Sequence, residues 1–276
     1  MGNSWFGNSW FGNSWFGNSW SGSGGGGGGS TFAMRADQPL AAFKIPLTAD
    51  MLLKAKFRDR DWDPDLLALE ILPQFINARI NGQSWDQAIT LPAPSQITQQ
   101  MIDELLILAV TERPEAMGEI LQEAQNFQIC WLQLLNISRA THPQTFRLMK
   151  LAARVGELAM IFLKRKNPTR PRPSQICPTL YPPIPVPGHA PYPAGHAIIG
   201  QLTSDCLAEL VPTHKVALDK LAERCSLNRV IAGLHFRQDC EVGTAVAHQL
   251  HPFIKACKLY NDTLIAAKKE WELESE

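Results

Sequence analysis

Ten of the chain's 20 prolines fall within the 27 residues from Asn167 to Pro193. Proline lacks a backbone N–H and clashes with the preceding turn, so this stretch is neither a long helix nor a central strand. It separates two sets of helical patterns. Before it, Asp63-Pro64 offers an N-cap followed by proline, and Leu66, Leu67, Leu69, Ile71 and Leu72 follow before Pro73 interrupts. Ser95 to Glu112, about Glu115 to Asn136, and Pro143 to Lys166 repeat apolar residues at helical spacing. After it, helices are expected over Ala194 to Leu210, Thr213 to Leu234 and Arg237 to Leu250. Pro252 is expected to break or kink the last of these before a final amphipathic stretch to about Glu272. No series of alternating strands joined by hairpin turns is present, so the fold class is all-α. A loop as long as 167–193 inside such a domain tends to be functional or disordered.

The N-terminus has a different character. Residues 2–20 repeat G-N-S-W-F, and Ser21 to Ser30 is a Gly/Ser run. Residues 1–30 read as an engineered repeat tag and flexible linker. Residues 31–63 read as an arm, and 64–276 as a catalytic helical domain. Uncharged Asn/Ser/aromatic repeats also stack as intermolecular strands, so the tag offers a route to self-assembly or display. Amphipathic helices beyond the needs of one small bundle point to a homo-oligomer.

The 26 Lys+Arg balance the 26 Asp+Glu, which removes any global attraction to nucleic acid or an anionic membrane. No apolar stretch approaches the length of about 20 residues that a bilayer span requires. There is no secretory signal pattern, so a soluble, cytoplasmic chain is expected. The cysteines Cys130, Cys177, Cys206, Cys225, Cys240 and Cys257 show no C-x-x-C spacing. They read as reduced thiols with neither zinc site nor disulfide framework. His142, His189, His214, His248 and His251 read as structural, and the His248/His251 pair lacks a third metal ligand.

Charge and imidazole gather in three places: Lys164-Arg165-Lys166 with Arg170-Pro171-Arg172-Pro173, Pro193-Ala194-Gly195-His196, and Arg229 through His235 to Asp239. A tetrahedral oxyanion needs planar bidentate cations, which Arg172 and Arg229 supply from separate segments. Lys164 or Arg165 is a third cation, and the two cannot both point inward, because one residue turns a helix by about 100°. Gly195 at a helix start would bring a backbone N–H to the anion. His235 is the expected nucleophile or ligand, with Asp239 orienting it from the same helical face and His196 as general acid and base.

Together these segments resemble the three-part signature K-x6-R-P, P-S-G-H, S-R-x5-H-x3-D. It is shared by bacterial acid phosphatases, type 2 phosphatidic acid phosphatases and vanadium-dependent haloperoxidases. The resemblance implies a helical bundle with its active site at helix ends, and the same roles for His196, Arg229, His235 and Asp239. It implies a phosphomonoester hydrolase acting through a phosphohistidine without a metal cofactor, or alternatively a haloperoxidase carrying vanadate and using halide and peroxide. Two positions depart from the signature: Ala194 stands where the family has serine, and Asn228 replaces the serine before Arg229. Tyr192 is a candidate substitute donor, and Arg237 a candidate charge at the pocket mouth.

Overall fold

The computed structural model describes residues 62–272 except Pro168. The repeat and linker over 1–30, with their assembly reading, lie outside the described residues, as does the arm over 31–63 but for its last two positions. The chain divides into two compact units, Met1–Asp63 and Pro64–Glu276.

The second unit is all-helical, and among the described residues there is no strand, only an isolated bridge between Ile80 and Gln83. Its long helices are α1 (Gln99–Thr111), α2 (Arg113–Asn126), α3 (Pro143–Lys166), α4 (Gly195–Leu210), α5 (Lys215–Ile231), α6 (Arg237–Lys255) and α7 (Lys258–Glu272). Helix α4 is the axis of the bundle: it packs against α3, α5 and α6, while α7 lies on α3 and α2 on α5. Fourteen of its 16 residues are buried, the polar His196, Gln201, Thr203, Ser204 and Asp205 among them. Glycines permit the close approaches. A Cβ on Gly156 would meet Ile199 Cγ1 at 2.7 Å, and one on Gly243 would meet the Ala194 carbonyl oxygen at 2.7 Å. No described helix is long and apolar enough to cross a membrane.

Several expected boundaries move, each for a tertiary reason. The first pattern is not one helix: Pro64–Leu67 passes through a 3-10 turn at Ala68–Glu70 into Ile71–Asn77. There Pro73 sits in the first turn, where its missing N–H costs little. The span 115–136 is likewise two helices, α2 and Ile129–Leu134. The turn between them lays the Phe127 ring beside His196, with centroids 5.1 Å apart, and Trp131 Nε1 donates to Ser204 Oγ at 2.9 Å. Helix α1 begins at Gln99 rather than Ser95, because Thr98 supplies the cap to Met101 N. Ser95 instead donates from both N and Oγ to Gln238 Oε1 at 2.8 Å. Helix α6 runs through Pro252 to Lys255. The proline-rich stretch forms only short turns, Pro173–Ile176 and Pro178–Leu180, each with proline in its first turn.

Candidate active site

Helix α5 ends in a way that delivers two site residues together. Leu234 N donates to the Arg229 carbonyl at 3.1 Å and Gly233 N to that of Val230 at 2.8 Å. This is a Schellman turn, with Gly233 at φ +76° in the left-handed position. Arg229 therefore sits in the last turn of α5, and His235 emerges directly after the reversal. Arg113 holds the turn by donating from Nε to Ile231 O at 2.9 Å and from Nη1 to Leu180 O at 2.7 Å.

The start of α6 is joined to the start of α4 at this point. Ala194 N donates to the Asp239 carbonyl at 2.8 Å, which registers Ala194-Gly195-His196 against Phe236-Arg237-Gln238-Asp239. Gly195 lets Met160 pack directly on the start of α4, since a Cβ there would lie 2.2 Å from Met160 Sδ and push that side chain aside. A backbone N–H at this helix start still points along the favourable end of the α4 dipole.

Lys164, Arg172, His196, Arg229 and His235 converge in one buried place, each at most 8% exposed. Arg165 does not join them. It is exposed, one residue round the end of α3 from Lys164, so Lys164 fills the cationic slot. Lys164 Nζ donates to the carbonyls of Ala190 at 2.6 Å and Pro191 at 3.0 Å, fastening the proline-rich loop to α3.

Arg172 is more committed than the sequence suggested. Its Nε and Nη2 donate to the His189 carbonyl at 3.1 and 2.8 Å, and Nη1 donates to Leu234 O at 3.0 Å. It braces the loop against the Schellman turn and holds Nη1 3.5 Å from His235 Nε2. Arg229 is the opposite case: its Nε and Nη1 are buried with no hydrogen-bond partner among the described residues. Burial and then the charge of Arg229 lower Arg172 to about 10, and burial alone lowers Arg229 to about 10, so both stay charged at neutral pH. Burial, then Arg172, also pulls Lys164 well below its usual range.

Asp239 is buried and close to His235, but not in the expected manner. His235 lies outside α6, so the two do not share one helical face. Asp239 Oδ1 accepts from Arg170 Nε at 2.8 Å and Oδ2 from Phe236 N at 3.0 Å. Its distance to His235 Nδ1 is 3.6 Å, too long for a hydrogen bond. Asp239 is first a hub that fixes Arg170 and the α6 start, and only secondarily a neighbour of the imidazole. A guanidinium N–H facing Nε2 nevertheless favours the tautomer protonated on Nδ1, which directs the Nε2 lone pair at the cations.

His189, read from sequence as structural, belongs here. Its Nδ1 lies 3.3 Å from Arg172 Nη2, and burial and then Lys164 lower it to about 4. Burial and the cations likewise push His196 and His235 well below the usual imidazole range. The signal that could have found His189 was its place in an unusually long loop seven residues before His196.

Two other expectations, Tyr192 as donor and Arg237 at the pocket mouth, are corrected, and Asn228 has no donor to spare. Tyr192 O–H donates to Pro92 O at 2.7 Å and has no proton left for the pocket. Both N–H groups of Asn228 go to Glu119 and Glu123. Arg237 is at the surface paired with Glu104. His248 pairs with Asp205 at 2.9 Å and His251 with Glu209 at 3.4 Å, so each belongs to a carboxylate on α4. A cleft of about 210 Å³ lined by Pro94, Ser95, Ile97, Asn167, Thr169, Arg170 and Pro171 reaches Arg170 without including His235.

Three imidazoles kept neutral make stability depend on pH. Below about pH 6.5 the unfolded chain binds protons at these histidines that the folded chain refuses, so unfolding becomes easier as pH falls. The contribution of these three imidazoles to the melting temperature is expected to fall from pH 7 to pH 5, against the raised carboxyls of Glu123 and Glu157, whose contribution rises over the same range. Phosphate should lessen the fall, since a bound anion lets the imidazoles accept protons. A melting temperature that phosphate leaves unchanged at every pH would contradict the pocket's role.

No family model matches the chain, and no curated protein matches it. The described residues form an all-α bundle in which Lys164, Arg172, His196, Arg229 and His235 make one buried cationic cluster.

Proposed function

We propose that the pocket binds a tetrahedral oxyanion against His235 Nε2, and that the chain is a phosphomonoester hydrolase working through a phosphohistidine without metal. The observation that carries this reading is the buried Arg229 guanidinium, whose Nε and Nη1 lack partners beside a histidine whose Nε2 faces cations. An isolated buried cation is costly, and an oxyanion oxygen at either group would offset part of that cost. A bound oxyanion would favour the protonated form of Lys164, which has one N–H beyond its two carbonyl contacts, and Arg172 Nη1 adds charge from the other side.

In this mechanism the His235 Nε2 lone pair forms the N–P bond as the ester P–O bond breaks. Protonated His196 gives its proton to the departing alkoxide. Neutral His196 then takes a proton from water, the oxygen of which attacks phosphorus as the N–P bond breaks, releasing phosphate. Burial and the Coulombic field of three cations hold His196 neutral before substrate arrives. A phosphate dianion opposes that field and restores its capacity to carry a proton.

A second reading, a vanadium-dependent haloperoxidase, is favoured by the same neutral imidazoles. His196 and His189 carry no proton to give before any ligand arrives, so each can accept a hydrogen bond from peroxide, whereas departure of an alkoxide needs a proton donor. The unpartnered Arg229 atoms and His235 Nε2 fit vanadate as they fit phosphate, with Lys164 and Arg172 as further cations. When bound, vanadate supplies a Lewis-acid centre that activates peroxide toward halide. Dialysis against vanadate followed by parallel assays of bromide-dependent bromination and p-nitrophenyl phosphate hydrolysis separates the two. Hydrolysis without bromination supports the first reading, bromination without hydrolysis supports the second, and neither activity overturns both.

Ala194 caps α4 fully buried, at the position where the resembling family has a hydroxyl donor. Ala194→Ser is expected to raise kcat about 100-fold, the scale of one oxyanion donor. A rise in melting temperature with no change in kcat would show that the hydroxyl caps the helix instead.

A further inference from the structure

Behind Arg229, on the side of α5 facing α2, lies a cluster that the oxyanion chemistry does not use. Glu123 of α2, Cys130 of the Ile129–Leu134 helix and Cys225 of α5 bring one carboxylate oxygen and two sulfurs within 4.8 Å of one another. It is the only group of three such ligands among the described residues. We propose that Glu123, Cys130 and Cys225 form a binding site for one thiophilic divalent cation of the zinc class.

The donor set is of the right chemical kind. Two thiolates and one carboxylate select a borderline-soft cation over magnesium or calcium, and three protein ligands leave a fourth tetrahedral position for water. One ligand group already has unused capacity. Glu123 is 3% exposed; its Oε1 accepts from Asn228 Nδ2 at 2.7 Å, and its buried Oε2 meets no hydrogen-bonding group by geometry, the nearby Cys225 thiol being the one donor the carboxylate otherwise feels. Asn228 thus acts as the outer support that fixes a ligating carboxylate. Cys225 is buried and Cys130 is half-buried, so the cluster is closed on the α5 side and reachable past Cys130.

The charges also balance. Binding releases both thiol protons to solvent and forms two metal–sulfur bonds and one metal–oxygen bond. Two thiolates, one carboxylate and a divalent cation leave a net charge of minus one. Arg229, which feels the fields of both Glu123 and Cys225, supplies the compensating positive charge. The cation would therefore pin α2, the Ile129–Leu134 helix and α5 together directly behind the guanidinium that faces His235.

Cobalt(II) titration of the reduced, chelator-treated full chain tests this, because thiolate–cobalt coordination has its own charge-transfer absorption. The expected result is one equivalent of cobalt with that absorption, displaced by zinc. Cys130→Ser and Glu123→Gln should each weaken binding by more than about 100-fold, as loss of a ligand must exceed loss of an outer support. Cys257→Ser, which alters a thiol outside the cluster, should leave it unchanged. Absence of the absorption, or its persistence in Cys130→Ser, overturns the proposal. So does a Cys130–Cys225 disulfide in the untreated protein with no metal uptake after reduction, which would make the pair a redox couple instead. Cys130→Ser changes a half-buried side chain, so the test does not depend on a variant with a hole in its core.

Discussion

His235→Gln is expected to lower kcat by at least about 10⁴-fold while leaving the melting temperature close to that of the parent chain. The size follows from the role: removing a nucleophile, or the side chain that holds the reacting centre, takes away most of the catalysis that binding alone cannot replace. The small stability effect follows from the geometry. His235 Nδ1 has no hydrogen-bond partner and Nε2 has only the 3.5 Å approach of Arg172, so the bundle does not rely on its contacts. Glutamine keeps an acceptor for Arg172 and fills comparable volume. Steady-state assays of hydrolysis and bromination, with thermal melts in the same buffer, check both halves. His248→Gln serves as the comparison, since that imidazole pairs with Asp205 outside the pocket. Retained turnover in His235→Gln would remove the chemistry from this site altogether.

Arg229→Met should make the protein more stable and less able to bind its anion. A buried guanidinium with two unpartnered nitrogens is a cost in the ligand-free chain, and replacing buried charge by well-packed apolar volume often stabilises by about 1–4 kcal/mol. In the metal-free chain the charge opposite is not stranded by the change. Burial already raises Glu123 to about 7, so its carboxyl can take up a proton once the cation is gone. One charge-assisted hydrogen bond to an oxyanion oxygen is worth about 1.5–3 kcal/mol, so phosphate or vanadate affinity should fall by roughly 10- to 10²-fold. Calorimetric titration with vanadate and a thermal melt measure the two effects on one sample. A variant that loses stability and still binds vanadate tightly would show that Arg229 belongs to the fold and not to the ligand. The opposed signs are what identify a residue kept for function at the expense of stability.

Local sequence carried the fold class well. Proline spacing and helical periodicity are short-range features; α3 and α4 begin and end within a residue or so of where these place them, whereas α5 stops at Ile231, short of the expected Leu234. What went astray depends on neighbours distant in the chain. The break between α2 and Ile129–Leu134 has no proline or glycine in it; it occurs where Phe127 and Trp131 turn onto His196 and Ser204 of α4. Tyr192 looked like a spare donor until Pro92, a hundred residues earlier, was found to accept its proton. Asp239 looked like a helical partner of His235, and the α6 start shows that Arg170 and Phe236 claim its oxygens instead.

By itself the amino-acid order determined which segments could be helices, where the chain must reverse, and which residue types could meet an oxyanion. These follow from backbone sterics, hydrophobic period and side-chain chemistry, all of which act over a few residues. Tertiary structure alone decided that Lys164 and not Arg165 turns inward, that Arg172 is spent on carbonyls while Arg229 is not, and that His189 stands in the pocket. The reason is that a donor's availability depends on every acceptor the folded chain brings within about 3 Å of it, and burial then sets its charge. Neither quantity exists until the helices have packed.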